Sequence, residues 1–232
     1  MATDLATGQN WVLEDSDIDT RRAPYSTFKI PNLLIALETG VEASLDSTRA
    51  WDQSRRPALR WWPDTWQRDH SLRTAFRDSV VWYFRDIALE VGDATYRNLL
   101  SDWSYGNANV PDGSDDFWLT GALQISVAEQ VGFLSALLRG DLGLSDAARI
   151  ALVEAARTEQ RGDVTLHGKT GGGFGYEGGG AEGWYVGFLT RTDAAPLAFA
   201  LYLNGATWVS IRDARRVLSE RLLQEAGFWP DS

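Results

Sequence analysis

Ser26 and Lys29 stand three residues apart in Pro24-Tyr25-Ser26-Thr27-Phe28-Lys29-Ile30-Pro31-Asn32, which sets a hydroxyl beside an amine. A hydroxyl becomes a nucleophile when a neighbouring base takes its proton, and an amine can be that base only when it is neutral. Ile30, Leu33, Leu34 and Leu37 recur at helical spacing and Gly40 follows as a cap, so the pattern predicts one amphipathic helix from about Ser26 to Thr39. Pro31 fits only near the first turn, which sets the start near Ser26. There the two side chains share a face, and free first-turn N–H groups can bind an anion forming on an attacked carbonyl. A capping serine beside a solvated lysine is the plainer reading of the spacing, but apolar Phe28 and Ile30 flank the amine.

Three more fragments follow in an order that could complete such a machine: Ser79-Val80-Val81, Tyr105-Gly106-Asn107 and Lys169-Thr170-Gly171. Ahead of them, Asp4 to Gln9 is turn-like before Trp11-Val12-Leu13, which predicts a hairpin whose first strand begins almost at Met1. Pro57, Pro63 and the Trp61-Trp62 pair mark a structured loop between Val41 and Ser71. Ala75, Phe76, Val80, Phe84, Ile87 and Ala88 predict a helix from Leu72 to Gly92 with Ser79 inside it. A short helix, Ala94 to Leu100, leads into a loop, Trp103 to Gly113, that carries Tyr105 and Asn107. Ser126-x-x-Glu129 is a capping box before an apolar run, and Ser145 caps a helix from Asp146 to about Arg157. After Gly162 the period becomes two: Val164 and Leu166, then Trp184, Val186 and Phe188, then Leu197, Phe199, Leu201 and Leu203 predict three antiparallel strands. An amphipathic helix from Val209 to Ala226 closes the chain. The fold class is therefore α+β, a single domain over residues 1–232. It has an antiparallel β-sheet built from both ends of the chain, flanking helices, and an inserted all-helical lobe over roughly residues 41–157, with the chemistry in the cleft between.

Composition narrows the chemistry. The formal charge of -10 speaks against nucleic acid or an anionic membrane surface as partner. With no cysteine and only His70 and His167, a disulfide framework, a thiol nucleophile and a Cys/His zinc cluster are excluded. No apolar run is long enough to span a membrane, and no signal-peptide pattern opens the sequence.

Taken together, Ser26-Thr27-Phe28-Lys29, Ser79-Val80-Val81, Tyr105-Gly106-Asn107, Phe117-Trp118-Leu119 and Lys169-Thr170-Gly171 resemble the motifs of the class D, oxacillinase-type serine β-lactamases. The resemblance implies the β-lactamase/transpeptidase-like fold and hydrolysis of the β-lactam ring of penicillins through an acyl-Ser26 intermediate. It implies that Lys29 is carbamylated by carbon dioxide and acts as general base, with no metal and no other cofactor. Phe28, Val81, Trp118 and Leu119 would line the carbamate pocket; their apolar bodies would keep the amine neutral, and the Trp118 indole N–H would bond the carbamate. Ser79 would relay a proton to the leaving nitrogen, beside Lys169. Tyr105, Asn107, Thr170, Gly171 and Gly172 would contact substrate, the oxyanion sitting between the Ser26 and Gly172 N–H groups. Arg215 would bind the substrate carboxylate, with Arg212 and Arg216 as alternatives.

Two departures from the family pattern stand out. The family has more chain ahead of Thr7-Gly8, so the first strand is expected to be short, and Tyr25 replaces a small residue before Ser26, while Gly171-Gly172-Gly173 lacks a bulkier lining. The resemblance also implies a periplasmic or secreted enzyme, monomeric or homodimeric, acting on a small molecule with no nucleic acid or membrane partner. The rival readings are a non-hydrolysing β-lactam sensor domain, a penicillin-binding protein and an inactive fold. Val81 argues against the sensor, in which a polar residue at that place keeps the lysine protonated.

Overall fold

The computed structural model describes residues 1–175 and 180–231. Its centre is a six-stranded antiparallel sheet in the order β2-β1-β8-β7-β6-β5. The strands are β1 (Ala2–Asp4), β2 (Asn10–Trp11), β5 (Arg157–Arg161), β6 (Val164–Phe174), β7 (Ala181–Arg191) and β8 (Ala194–Gly205). Both ends of the chain thus meet in one sheet, as Ala2–Asp4 pairs with Leu197–Phe199. A two-stranded ribbon, β3 (Thr48–Arg49) with β4 (His70–Ser71), sits in the loop region between Val41 and Ser71.

Strand alternation sorts the core. Trp184, Val186 and Phe188 of β7 join Ala198 and Ala200 of β8 in the large core shared with the helical lobe. The alternate residues Tyr185, Leu189, Leu197 and Phe199 face Leu223 and Trp229 on the other side. Each apolar side chain so removed from water contributes about 1.5–3 kcal/mol, which fixes the register, since a one-residue slip would exchange the faces.

The lobe holds α1 (Lys29–Glu38), α2 (Leu72–Asp78), α3 (Val81–Val91), α4 (Asp93–Asp102), α5 (Val127–Arg139) and α6 (Asp146–Ala156). The Ser126/Glu129 capping box and the Ser145 cap are formed as expected, and Gly40 and Gly140 close their helices at positive φ. None of the described helices is long and apolar enough to cross a membrane.

Four expected boundaries are corrected. Ser26 lies not on an α-helix but in a 3-10 turn, Tyr25–Phe28, and α1 begins at Lys29. The Leu72–Gly92 helix is two helices broken at Ser79, which takes the left-handed conformation with φ 63° and ψ 34°. Arg157 does not end a helix but opens β5, a strand missed because its sequence, Arg-Thr-Glu-Gln-Arg, carries no apolar alternation; as an edge strand it needs none. The terminal helix is split into α7 (Trp208–Arg212) and α8 (Ala214–Glu225), joined where Asp213 O accepts from both Arg216 N and Val217 N.

Candidate active site

The 3-10 turn that carries Ser26 is anchored on three sides. Tyr25 N donates to Trp118 O at 3.1 Å, Thr27 Oγ1 donates to Pro24 O at 2.7 Å, and Gln130 Nε2 donates to Thr27 Oγ1 at 3.0 Å. β6 runs directly against it: a Cβ at Gly171 would lie 2.7 Å from Pro24 O, so only glycine allows that approach.

One turn of chain brings the Ser26 hydroxyl and the amine together, with Lys29 Nζ 2.8 Å from Ser26 Oγ. Lys29 is wholly buried, its ammonium end 5.4 Å from the Phe84 ring centroid. Burial, and secondarily the charge of Lys169, hold its amine well below the usual lysine range, so the neutral form that a base needs is favoured.

Ser79 stands at the break between α2 and α3, held in the left-handed conformation. Lys169 Nζ donates to Ser79 Oγ at 2.9 Å and to Thr170 O at 3.2 Å, with the Phe76 ring centroid 5.8 Å away. Burial, and then the nearby Arg215, lower the Lys169 amine to about 7. Such a group can exchange a proton with a serine hydroxyl near neutral pH. Among the described residues neither lysine hydrogen-bonds a carboxylate.

Arg215, from the first turn of α8, donates through Nη1 to Gly171 O and stacks over the Trp208 ring at 4.9 Å. Burial lowers it to about 10, and its buried Nε has no partner among the described residues. Gly172 makes room for this stack, because a Cβ there would meet Trp208 at 2.4 Å. Arg212 and Arg216 pair instead with Asp213 and with Glu159 and Glu220.

Trp118 is fully buried and stacks on Phe28, the residue before Lys29, at 5.2 Å and 24°. Its indole N–H has no partner among the described residues. A buried donor left unmade costs about 1–3 kcal/mol, so this N–H is poised for an acceptor. Val81 is buried at the start of α3, and Leu119 packs partly buried on the same core.

The model of the penicillin binding protein transpeptidase domain matches residues 1–143. β-Lactamase OXA-10 of Pseudomonas aeruginosa is 37% identical over 191 residues, 82% of this chain and 70% of that protein. β-Lactamase OXA-48 of Klebsiella pneumoniae is 35% identical over 202 residues, 87% of this chain and 73% of that protein. The class D β-lactamase YbXI from Nostoc superposes with a TM-score of 0.89 at 29% identity, covering 97% of this chain and 92% of that one. The chain belongs to the class D serine β-lactamases.

Of the residues expected in a class D site, the structure links Ser26 to Lys29, Lys169 to Ser79 and Thr170, and Arg215 to Gly171, with the charge of Lys169 felt at Lys29 and Phe28 stacked on Trp118. Tyr105 is fully buried against Phe28 and Phe133 and offers no surface to a ligand. Asn107 ties its own loop, donating to Ala122 O at 2.9 Å and accepting from Asn109 N and Gln124 N. Sequence reasoning missed Phe84, Phe76 and Trp208. Phe84 lies one turn beyond Val81 on α3, a spacing that could have flagged it; nothing in the sequence announces Trp208.

Proposed function

We propose that this protein hydrolyses the β-lactam ring of penicillin-type antibiotics through an acyl-Ser26 intermediate, with Lys29 as the base. The observation that carries the reading is the 2.8 Å contact of Ser26 Oγ with an amine wholly buried among apolar groups. Ser26 Oγ attacks the lactam carbonyl carbon as its proton passes to the base at Lys29. The C–N bond then breaks, and the ring nitrogen takes a proton from Ser79 Oγ, which Lys169 replenishes across 2.9 Å. The N–H groups of Ser26 and Gly172 hold the oxyanion, and Thr170 with Arg215 holds the substrate carboxylate, as a guanidinium does well.

The residues around Lys29 fit a carbon dioxide adduct on two counts: the amine is held neutral by burial, and the Trp118 indole N–H lacks an acceptor. When present, the carbamate supplies an anionic base that can also activate the water of deacylation. Phe28, Val81, Phe84 and Leu119 exclude bulk water from that end of the site, which favours turnover over a lasting adduct. The periplasm or the cell exterior is the place of action that follows from this role.

Intact-protein mass spectrometry with benzylpenicillin tests the reading. Wild type is expected to turn over many equivalents and Ser26→Ala to gain no penicillin mass. Equal uptake by Ser26→Ala would sink the nucleophile assignment, and a single stoichiometric burst with an adduct lasting hours would move the protein to the sensors.

A further inference from the structure

Tyr25, the residue immediately before Ser26, has φ 48°, a left-handed conformation that bulky side chains rarely adopt. Such strain persists only where the surroundings impose it. Here they do so from three directions. The Tyr25 N–H is bound to Trp118 O, its ring occupies the space a Cβ at Gly173 would need, 2.3 Å from a ring carbon, and its hydroxyl lies 2.7 Å from Glu182 Oε2 and 3.0 Å from Phe174 O. Of the two acceptors the carboxylate binds the proton more strongly. Burial and the Glu182 charge both push the phenol far up, so it stays a donor at all working pH. Glu182 is fixed in turn by Tyr202, whose hydroxyl donates to Oε1 at 3.0 Å, and Arg22 lies 4.7 Å over the Tyr202 ring.

We infer that Tyr25 is a positioning residue: its hydrogen bond to Glu182 of β7 locks the turn carrying Ser26 against the sheet, whose neighbouring strand β6 carries Lys169, and so sets the attack geometry. The inference rests on Ser26 being the nucleophile. Without the lock, the 3-10 turn keeps its anchors at Thr27 and Trp118 but gains freedom at the residue before Ser26, where small displacements cost rate more than affinity.

The test measures kcat, KM, Tm and the acylation rate constant per titratable active site with benzylpenicillin. Tyr25→Phe keeps the ring over Gly173 and removes only the hydroxyl. It is expected to lower kcat and the acylation rate about tenfold, with KM changed less than about twofold and most sites still titratable. Glu182→Ala should do the same, and Glu182→Gln, which keeps a neutral acceptor, should recover part of the rate. The Tyr25→Phe/Glu182→Ala pair should be no worse than Glu182→Ala alone, because that change already cuts the Tyr25 contact along with the one to Tyr202. Wild-type acylation per active site in Tyr25→Phe, or multiplied losses in the pair, overturns the proposal. If Tyr25→Phe does not fold, the glutamate variants decide: wild-type acylation in both overturns it. Ser26→Ala, run alongside, separates the readings. Penicillin uptake there refutes the nucleophile, whereas its absence together with wild-type rates in Tyr25→Phe refutes only the positioning role.

Discussion

Replacing Lys169 with Met should make the protein more stable and inactive. The amine is buried and titrates at about 7 rather than 10.5. Below about pH 7 the folded and unfolded chains both carry the proton, and the folded state bears the whole cost of a buried charge. Between about 7 and 10.5 the unfolded chain binds more protons than the folded one, so stability rises with pH by about 1.4 kcal/mol per unit, and above 10.5 the cost is gone. The full span corresponds to about 5 kcal/mol. Met fills the volume without charge but strands Ser79 Oγ, whose lost hydrogen bond takes back about 1–2 kcal/mol. The net gain near neutral pH is then about 3 kcal/mol, or a Tm rise of about 6–12 °C for a chain of this length. Thermal and urea unfolding of both proteins from about pH 6 to about pH 10 reads it, and the advantage of Lys169→Met should shrink steadily as pH rises. A variant no more stable than wild type near pH 7, or a difference that does not change with pH, would refute the desolvation argument for Lys169.

Three other outcomes are expected. Ser79→Gly suits the left-handed backbone, so Tm should hold while acylation is lost; Ser79→Val, forced into the same φ, should cost about 1–3 kcal/mol in urea unfolding. Trp118→Phe keeps the stack on Phe28 but removes the indole N–H, and the weakened site should need more bicarbonate to recover after mild acid treatment, by about 1.5–3 kcal/mol in the carbamate equilibrium followed by carbon-13 resonance. Arg215→Lys keeps a charge but loses the planar fork, so KM for penicillins should rise about tenfold while acylation at saturation changes little, as steady-state kinetics would show.

Much of this arrangement was legible before any coordinates. Trp184, Val186 and Phe188 announce a strand because one sheet face packs on the lobe, and Ser126 with Glu129 announces a helix start because capping is local chemistry. What was hidden is non-local. Ser79 breaks a helix without glycine or proline, and the apolar pattern from Ala75 to Ala88 runs through it undisturbed. β5 is visible only as the neighbour of β6, since Arg157–Arg161 has no buried face to pattern. The burial of Tyr105 is equally non-local, since Phe28 and Phe133 reach it from distant parts of the chain. Spacing paired Ser26 with Lys29, but the degree of desolvation depends on Phe84 and Lys169, which only the fold brings near.

The order of the sheet has a consequence for biosynthesis. Ser26, Lys29 and Ser79 leave the ribosome early, whereas β6, β7 and β8, which carry Lys169 and cover α5, are made late, with only α7 and α8 to follow. If Ser26 is the nucleophile proposed above, a nascent chain holds it and Lys29 for most of translation without the strands that pack against them, and neither should react with a β-lactam in that interval. Covalent labelling of Ser26 in living cells would then mark only finished molecules, so the interval between synthesis and first labelling would clock the closing of this sheet.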